Sequence, residues 1–187
     1  MKLEHRSSGS VAVVEGKLEG YAAKFNTHSR EMRTNSGRVF TEKIAPGAFA
    51  ESLRSRPVTL YYDHDASQPL ATTRGNTLTL AEDGQGLRFS ADLAPTQLGE
   101  TVSTLMQRGD LSGEMSFGFF VDQDGDEWQT EGTRNVRTLN KVELVEISVV
   151  QQAAYPAAVA NIRSLDRFLS VQDIKKRLLT IRMRKFQ

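Results

Sequence analysis

The sequence predicts an α+β fold, built as a closed or strongly curved, mostly antiparallel β-barrel with helices around it. Many short strand-like runs are separated by glycines and polar turns, and only two or three stretches show helical periodicity. The chain has 187 residues, 39% hydrophobic and 25% charged, which is enough for one domain with its own core. We expect a domain over residues 1–163 and a basic helical extension over residues 164–187.

Strand signals dominate the first half of the chain. Residues 11–14 and 18–25 are typical of a hairpin around a glycine turn, and the polar residues 26–38 of an exposed loop. Residues 46–53, which begin with a proline and a glycine, predict a short helix. The apolar run at 58–62 predicts a strand that leads directly into an Asp-His-Asp sequence.

The second half of the chain contains the clearest helix, over residues 96–108. Four apolar side chains form one stripe with the spacing i, i+4, i+7 and i+8: Leu98, Val102, Leu105 and Met106. Thr96 is a suitable N-cap, and Gly109 is placed to end the helix. Further strands are expected at 77–80, 87–93, 115–121 and 136–150.

Composition excludes several classes of protein. The chain has no cysteine, so it has no disulfide, thiol nucleophile or thiolate metal site. No apolar run approaches the roughly 20 residues of a membrane span, and the first residues lack the apolar core of a signal peptide. With a net charge of only +1, the protein as a whole does not have the positive electrostatic potential that attracts nucleic acid. We expect an intracellular protein without membrane or nucleic-acid binding.

His64 is the best-placed of the three histidines. His5 belongs to a terminus expected to be mobile, and His28 lies in the predicted polar loop, whereas His64 directly follows an apolar strand. Histidine is the usual general base near neutral pH, so His64 is a candidate for that role. The alternative is a strand-end histidine bonded to Asp63 or Asp65.

Ser116 is a small polar residue among large apolar ones, on a predicted strand between Gly113 and Gly118. A nucleophile needs an open approach for its substrate, and Gly118 would leave room beside the hydroxyl. The alternative is a structural strand serine, with glycines that mark a bulge or a close backbone crossing.

Glu146 is a carboxylate inside a strongly apolar strand. Alternation places Val145, Ile147 and Val149 on one face and Leu144, Glu146 and Ser148 on the other. A buried carboxylate is costly unless it is paired, so Glu146 needs a specific partner. That partner is either a catalytic imidazole or, in a structural salt bridge, Arg137 or Lys141. Glu143 is the second-choice carboxylate and should point the other way.

Two metal-like motifs fail on spacing. Neighbouring residues of Asp63-His64-Asp65 point to different sides of a strand, and no second well-placed histidine accompanies them. Residues 122–131 mimic a calcium loop, but Gly125 is the fourth residue rather than the sixth, and Thr133 occupies the place of the bidentate acid. We interpret this stretch as a hairpin turn around Asp124-Gly125, and we predict no metal and no cofactor.

Five blocks of sequence, in order from about residue 20 to 160, resemble the prohead proteases of tailed phages. These form the HK97-like family, whose fold is related to that of the herpesvirus assemblin proteases. The blocks are Gly20-Tyr21-Ala22-Ala23-Lys24-Phe25, Glu42-Lys43-Ile44-Ala45-Pro46-Gly47-Ala48-Phe49, Leu60-Tyr61-Tyr62-Asp63-His64-Asp65, Gly113-Glu114-Met115-Ser116-Phe117-Gly118-Phe119 and Glu146-Ile147-Ser148-Val149-Val150 with Ala154-Tyr155-Pro156-Ala157-Ala158.

The resemblance implies that His64 is the general base and Ser116 the nucleophile of a serine endopeptidase. Assemblins carry a histidine as third member on the strand after the nucleophile's strand, where this chain has Glu146. No histidine follows His64, so the chain departs from the His-Ser-His arrangement. Glu146 is the expected orienting residue, and a Ser-His dyad remains the alternative.

The resemblance also implies partners and a location. The expected substrates are the scaffold or the scaffolding segment of the major capsid protein, and the protease itself, inside the assembling prohead in the host cytoplasm. A homo-oligomer, such as a dimer, is expected. The tail at 175–187 carries six basic residues and no acid, which suits a solvated helix face or docking on an acidic partner or on packaged nucleic acid. The resemblance implies a packaging or capsid contact, or a segment removed by self-cleavage.

Other classes of function stay open at this point. One is a non-catalytic capsid or scaffold module with the same fold, and another is a ligand-binding β-barrel without a viral role. A metal hydrolase is the third.

Overall fold

A computed structural model describes residues 2–14, 17–34, 37–151 and 159–160. Within them, strands predominate over two helices. In chain order the strands are β1 (Glu4–Val14), β2 (Lys17–Lys24), β3 (Met32–Thr34), β4 (Val39–Ile44), β5 (Thr59–Tyr62), β6 (Pro69–Thr72), β7 (Leu78–Glu82), β8 (Gly86–Ala91), β9 (Glu114–Phe120), β10 (Asp126–Glu131), β11 (Arg134–Leu139), β12 (Glu143–Val150) and β13 (Val159–Ala160). The helices are α1 (Ala50–Ser55) and α2 (Gln97–Arg108).

The strands form two sheets, of which the larger is barrel-like. Its eight strands have the order β6-β5-β12-β9-β1-β2-β8-β7, and its edge strands β6 and β7 contact each other, so that the sheet is nearly closed. The smaller sheet has the order β10-β11-β4-β3-β13. This confirms a curved, barrel-like architecture of strands with few helices.

Both sheets are mixed, which corrects the expectation of a mostly antiparallel barrel. Parallel pairs join β5 to β12, β4 to β11 and β3 to β13. Parallel neighbours need a long crossover rather than a tight turn, and about 80 residues lie between β5 and β12. Local sequence patterns carry no signal for such distant pairing.

The core lies on one face of the large sheet. On β9, Phe117 and Phe119 are fully buried and stack with ring centroids 5.1 Å apart. Phe49, just before α1, meets Phe117 edge-on with centroids 5.6 Å apart, so the helix region closes over the same core. The opposite face of β9 carries Ser116 and Gly118.

Helix α2 begins and ends at the capping residues predicted from the sequence, Thr96 and Gly109. The Thr96 hydroxyl accepts a hydrogen bond from the Gly99 amide at 3.2 Å, and Gly109 ends the helix in the left-handed conformation at φ 77°. Helix α1 starts at Ala50, later than predicted. Neither helix of the described part is long and apolar enough to cross a bilayer.

Several elements differ from the sequence-based prediction. Strand β1 begins at Glu4, where a mobile terminus was expected, and the predicted loop at 26–38 contains β3. The predicted strand at 136–150 is two strands, β11 and β12. The acidic turn leads from β9 into β10, which pairs with β11 in the other sheet, so the turn does not close a β9–β10 hairpin. The predicted helical extension at 164–187 lies outside the described residues.

A buried network of ion pairs connects the two sheets through β1. The Arg137 guanidinium contacts Asp126 at 2.6 Å and both Glu4 and Glu42 at 2.9 Å. Arg6 contacts Glu4 at 2.6 Å and Glu42 at 2.7 Å. Burial raises the pKa of Glu4, but the charges of Arg137 and Arg6 outweigh this effect and hold that pKa below its ordinary value. The network thus keeps β1 of the large sheet against β4, β10 and β11 of the small one.

We expect Arg137→Ala to lower the free energy of unfolding by about 3–5 kcal/mol, because it leaves buried carboxylates without their counter-charge. Chemical denaturation monitored by circular dichroism measures the change. Arg134→Ala, on the same strand but exposed, is the matched control and should stay within about 0.5 kcal/mol of the wild type. Equal losses in the two variants would contradict a special role for the network.

Candidate active site

His64 is held by a tight turn at the end of β5. Asp63 and His64 both have positive φ angles, 51° and 60°, which few residues other than glycine adopt. The Asp63 amide donates a hydrogen bond to the Val149 carbonyl at 2.8 Å, which fixes the turn against β12. Asp65 does not pair with His64. Hydrogen bonds from Ser67 and Gln68 to its carboxylate lower the pKa of Asp65.

Glu146 is hydrogen-bonded on both carboxylate oxygens. Its Oε1 lies 2.8 Å from Nδ1 of His64, and its Oε2 accepts the Ser148 hydroxyl at 2.6 Å. The same hydroxyl oxygen accepts the backbone N–H of His64 at 3.3 Å. Glu146 is 6% exposed, so these bonds replace nearly all of its hydration. The proposed structural alternatives pair elsewhere: Arg137 in the buried network and Lys141 with Glu51.

A β-bulge places the Glu146 side chain on the site face of the sheet. Leu144 pairs with Phe119 of β9, whereas Glu146 pairs with Gly118, so Val145 is an extra residue on β12. Leu144 is therefore fully buried in the core, against the expectation from simple alternation that it shares a face with Glu146. Glu143, the second-choice carboxylate, is exposed and pairs with Arg56.

Ser116 lies in a row of three serines on neighbouring strands. It pairs with Ser148 of β12 on one side and with Ser7 of β1 on the other, and residues directly opposite each other share a face. Its hydroxyl donates to the Arg6 carbonyl at 3.0 Å, and its side chain is fully buried. Within the described part of the chain, no hydrogen bond joins it to His64. The structure thus brings the two residues to one face, on either side of Ser148.

Gly118 provides the space in which the site residues meet. A Cβ atom at this position would lie 2.5 Å from Oε1 of Glu146 and 2.9 Å from the His5 ring. Those distances are too short for any side chain. A side chain at this position would therefore displace Glu146 or His5, so the glycine allows both side chains to pack against β9.

His5 is part of this cluster, contrary to the expectation of a mobile terminus. It lies opposite Gly118 on β1, and its ring stacks on that of His64 with centroids 4.2 Å apart and planes 9° from parallel. Burial lowers the pKa of His5, as does the neighbouring His64. Sequence reasoning missed this residue because the polar start of β1 has no apolar alternation. His28 lies elsewhere, with Nδ1 3.2 Å from the Thr41 hydroxyl.

A carboxylate-bound imidazole on the same sheet face as a serine is the set of side chains that serine hydrolases use. A protein-family model described as Caudovirus prohead serine protease matches residues 1–170, and the chain belongs to this family. The predicted resemblance to tailed-phage prohead proteases is confirmed. Membership implies a serine peptidase that acts in phage capsid maturation, within the assembling capsid. No curated protein and no solved structure matches the chain.

We expect Gly118→Ala to abolish the hydrogen bond between Glu146 and His64, because the new methyl group occupies the position next to Oε1. The nitrogen chemical shifts of the His64 ring measure the loss directly. Gly84→Ala is the control, since a Cβ at Gly84 meets no atom within 4 Å. An unchanged His64 ring in Gly118→Ala would show that the glycine is not needed for the geometry.

Proposed function

We propose that the chain is a serine endopeptidase in which Ser116 is the nucleophile, His64 the general base and Glu146 the residue that orients His64. The observation that carries this proposal is the 2.8 Å contact between Oε1 of Glu146 and Nδ1 of His64. It holds the proton on Nδ1, which leaves Nε2 as the basic ring nitrogen. Nε2 has no hydrogen-bond partner among the described residues, so it is available to Ser116.

The proposed reaction is acyl transfer in two steps. Nε2 of His64 takes the Ser116 proton while Oγ attacks the scissile carbonyl carbon, and the protonated ring then donates that proton to the leaving amine as the C–N bond breaks. Water, deprotonated by the same nitrogen, attacks the resulting ester and releases the acid product together with the Ser116 hydroxyl. Glu146 stabilises the imidazolium formed in both steps.

The Ser116 hydroxyl must turn for this reaction. In the free chain it donates to the Arg6 carbonyl, and its side chain is buried. Rotation about the Cα–Cβ bond between staggered positions moves the oxygen away from Arg6. Catalytic hydrogen bonds are often long or poorly aligned in free enzymes and tighten only with the substrate bound. We therefore assign the contact with Arg6 to a resting state, and the contact with His64 to the complex.

Ser148 supports the proposal as a positioning residue. Its hydroxyl is fully buried and bonds both to the Glu146 carboxylate and to the backbone of the His64 turn. One side chain thus fixes the acid and the base relative to each other. Sequence analysis placed Ser148 on the face of Glu146 but gave it no role.

The proposed substrates are the scaffold protein or the scaffolding segment of the major capsid protein, and the protease itself. The proposed place of action is the interior of the assembling prohead, and the proposed active form is a homo-oligomer such as a dimer. For the basic tail at 164–187 we propose a capsid contact or a segment that self-cleavage removes. These proposals rest on the family to which the chain belongs.

A non-catalytic assembly module is the second candidate. The buried Ser116 hydroxyl, bonded to a backbone carbonyl instead of His64, favours it. Such a module predicts that Ser116 is dispensable for processing.

Co-expression with the phage capsid and scaffold proteins separates the two candidates. We expect the wild-type chain to yield truncated products, and Ser116→Ala to yield only intact chains, as measured by mass spectrometry of every product. Ser103→Ala, a partly buried serine on α2, is the matched control and should process normally. Normal processing by Ser116→Ala would contradict the peptidase assignment.

A fluorophosphonate probe tests the same assignment without a substrate. We expect labelling of Ser116 in the wild type and its loss in His64→Ala, because the probe needs an activated hydroxyl. Peptide mapping locates the label. A label on Ser148 would transfer the role of nucleophile to that residue.

We expect Ser148→Ala to lower kcat by roughly ten- to a hundredfold, because a hydrogen bond to a charged group contributes about 1.5–3 kcal/mol. KM for a capsid-derived peptide should stay unchanged, since Ser148 positions other residues and does not contact the substrate. Ser52→Ala is the control: its hydroxyl accepts the Leu144 amide at 2.8 Å and should affect stability only. Equal kcat losses in both variants would indicate a general effect on folding.

A further inference from the structure

Three potential metal ligands meet at the proposed active site. Nitrogen atoms of His5 and His64 and an oxygen of Glu146 all lie within 4.8 Å of one another. Two imidazoles and a carboxylate form a ligand set typical of zinc. The argument against a metal at His64 from the sequence was that no second histidine accompanies it, and His5 removes that argument.

Two of the three distances between these atoms are close to what zinc requires. Zinc binds nitrogen and oxygen at about 2.0–2.2 Å, so tetrahedral ligand atoms lie roughly 3.3 Å apart. Nδ1 of His64 lies 2.8 Å from Oε1 of Glu146, and Nε2 of His5 lies 3.8 Å from the same oxygen. One distance is shorter and the other longer than the ideal, each by about half an ångström.

One ring has to turn for both nitrogens to face a single ion, because the two imidazoles are stacked nearly parallel. His5 is the ring that is free to do so. Its side chain is 37% exposed and makes no hydrogen bond within the described residues, and the ring torsion of histidine is soft.

We propose that a divalent ion of the zinc type binds His5, His64 and Glu146 and switches the peptidase off. Zinc takes the lone pair of Nδ1, so the single proton of the neutral ring is carried by Nε2 instead, and two metal–ligand bonds replace the hydrogen bond between His64 and Glu146. With the metal on Nδ1 and a proton on Nε2, the ring has no free nitrogen to take the Ser116 proton, so His64 no longer acts as a base. The inhibition rests on the proposed function, whereas the binding does not.

Isothermal titration with zinc chloride tests the binding. The whole 187-residue chain carrying Ser116→Ala is used, because this substitution prevents self-cleavage and leaves the three ligands in place. We expect one zinc ion per chain, and an affinity about tenfold or more weaker in a chain that also carries His5→Gln. Magnesium chloride should not bind, because magnesium prefers oxygen ligands.

The third histidine of the chain provides the matched control. His28→Gln should leave the zinc affinity unchanged, since His28 is bonded to Thr41 on the smaller sheet. If His5→Gln fails to fold, imidazole NMR signals give the same information without that variant, because zinc should shift the signals of His5 and His64 but not of His28. No binding at millimolar zinc, unchanged affinity in His5→Gln, or a shift of the His28 signals would each overturn the site.

Peptidase activity of the wild-type sequence tests the switch. We expect zinc to lower kcat/KM and a chelator to restore it, and His5→Gln to lose most of this sensitivity when each variant is compared with itself. Zinc binding without inhibition would overturn the switch. A chain that binds zinc but shows no peptidase activity after chelation would overturn the proposed function and leave the metal site standing.

Discussion

The carboxylate of Glu146 lies in the middle of an apolar strand, where a charge without partners would destabilise the fold by several kcal/mol. His64 and Ser148 supply hydrogen bonds to its two oxygens. Two further features of the site allow the Glu146 carboxylate to make these hydrogen bonds. The bulge at Val145 turns the carboxylate to the site face, and Gly118 leaves the space that the carboxylate fills. The hydrogen bonds that stabilise the buried Glu146 carboxylate thus also orient the His64 ring.

The first strand links the site to the rest of the molecule. It runs between β9 and β2 in the large sheet and contributes Ser7 to the row of serines. Arg6 illustrates this double position: its guanidinium belongs to the buried ion pairs between the sheets, and its carbonyl accepts the Ser116 hydroxyl. The ion pairs that hold the Arg6 side chain therefore also help to fix the position of its backbone carbonyl next to Ser116.

Local signals in the sequence were sufficient for some elements and for selecting three candidate site residues. Helix α2 was predicted because Thr96 and Gly109 mark its ends, and His64, Ser116 and Glu146 stood out as polar residues in apolar surroundings. The parts that depend on distant contacts were missed. The polar start of β1 has no alternation, because its side chains pair with charges from other strands, so His5 looked like part of a free terminus. The extra residue at Val145 and the parallel pairing of β5 with β12 likewise leave no local pattern.

The order of the central strands, β5-β12-β9-β1, has a consequence for biosynthesis. His64 and Ser116 emerge from the ribosome before β12, which carries Glu146 and Ser148 and lies between the two strands that hold them. A nascent chain that ends before β12 contains His64 and Ser116 without the strand that joins them. The cluster of His64, Ser116, Glu146 and Ser148 therefore cannot assemble until β12 and the strands before it have been translated.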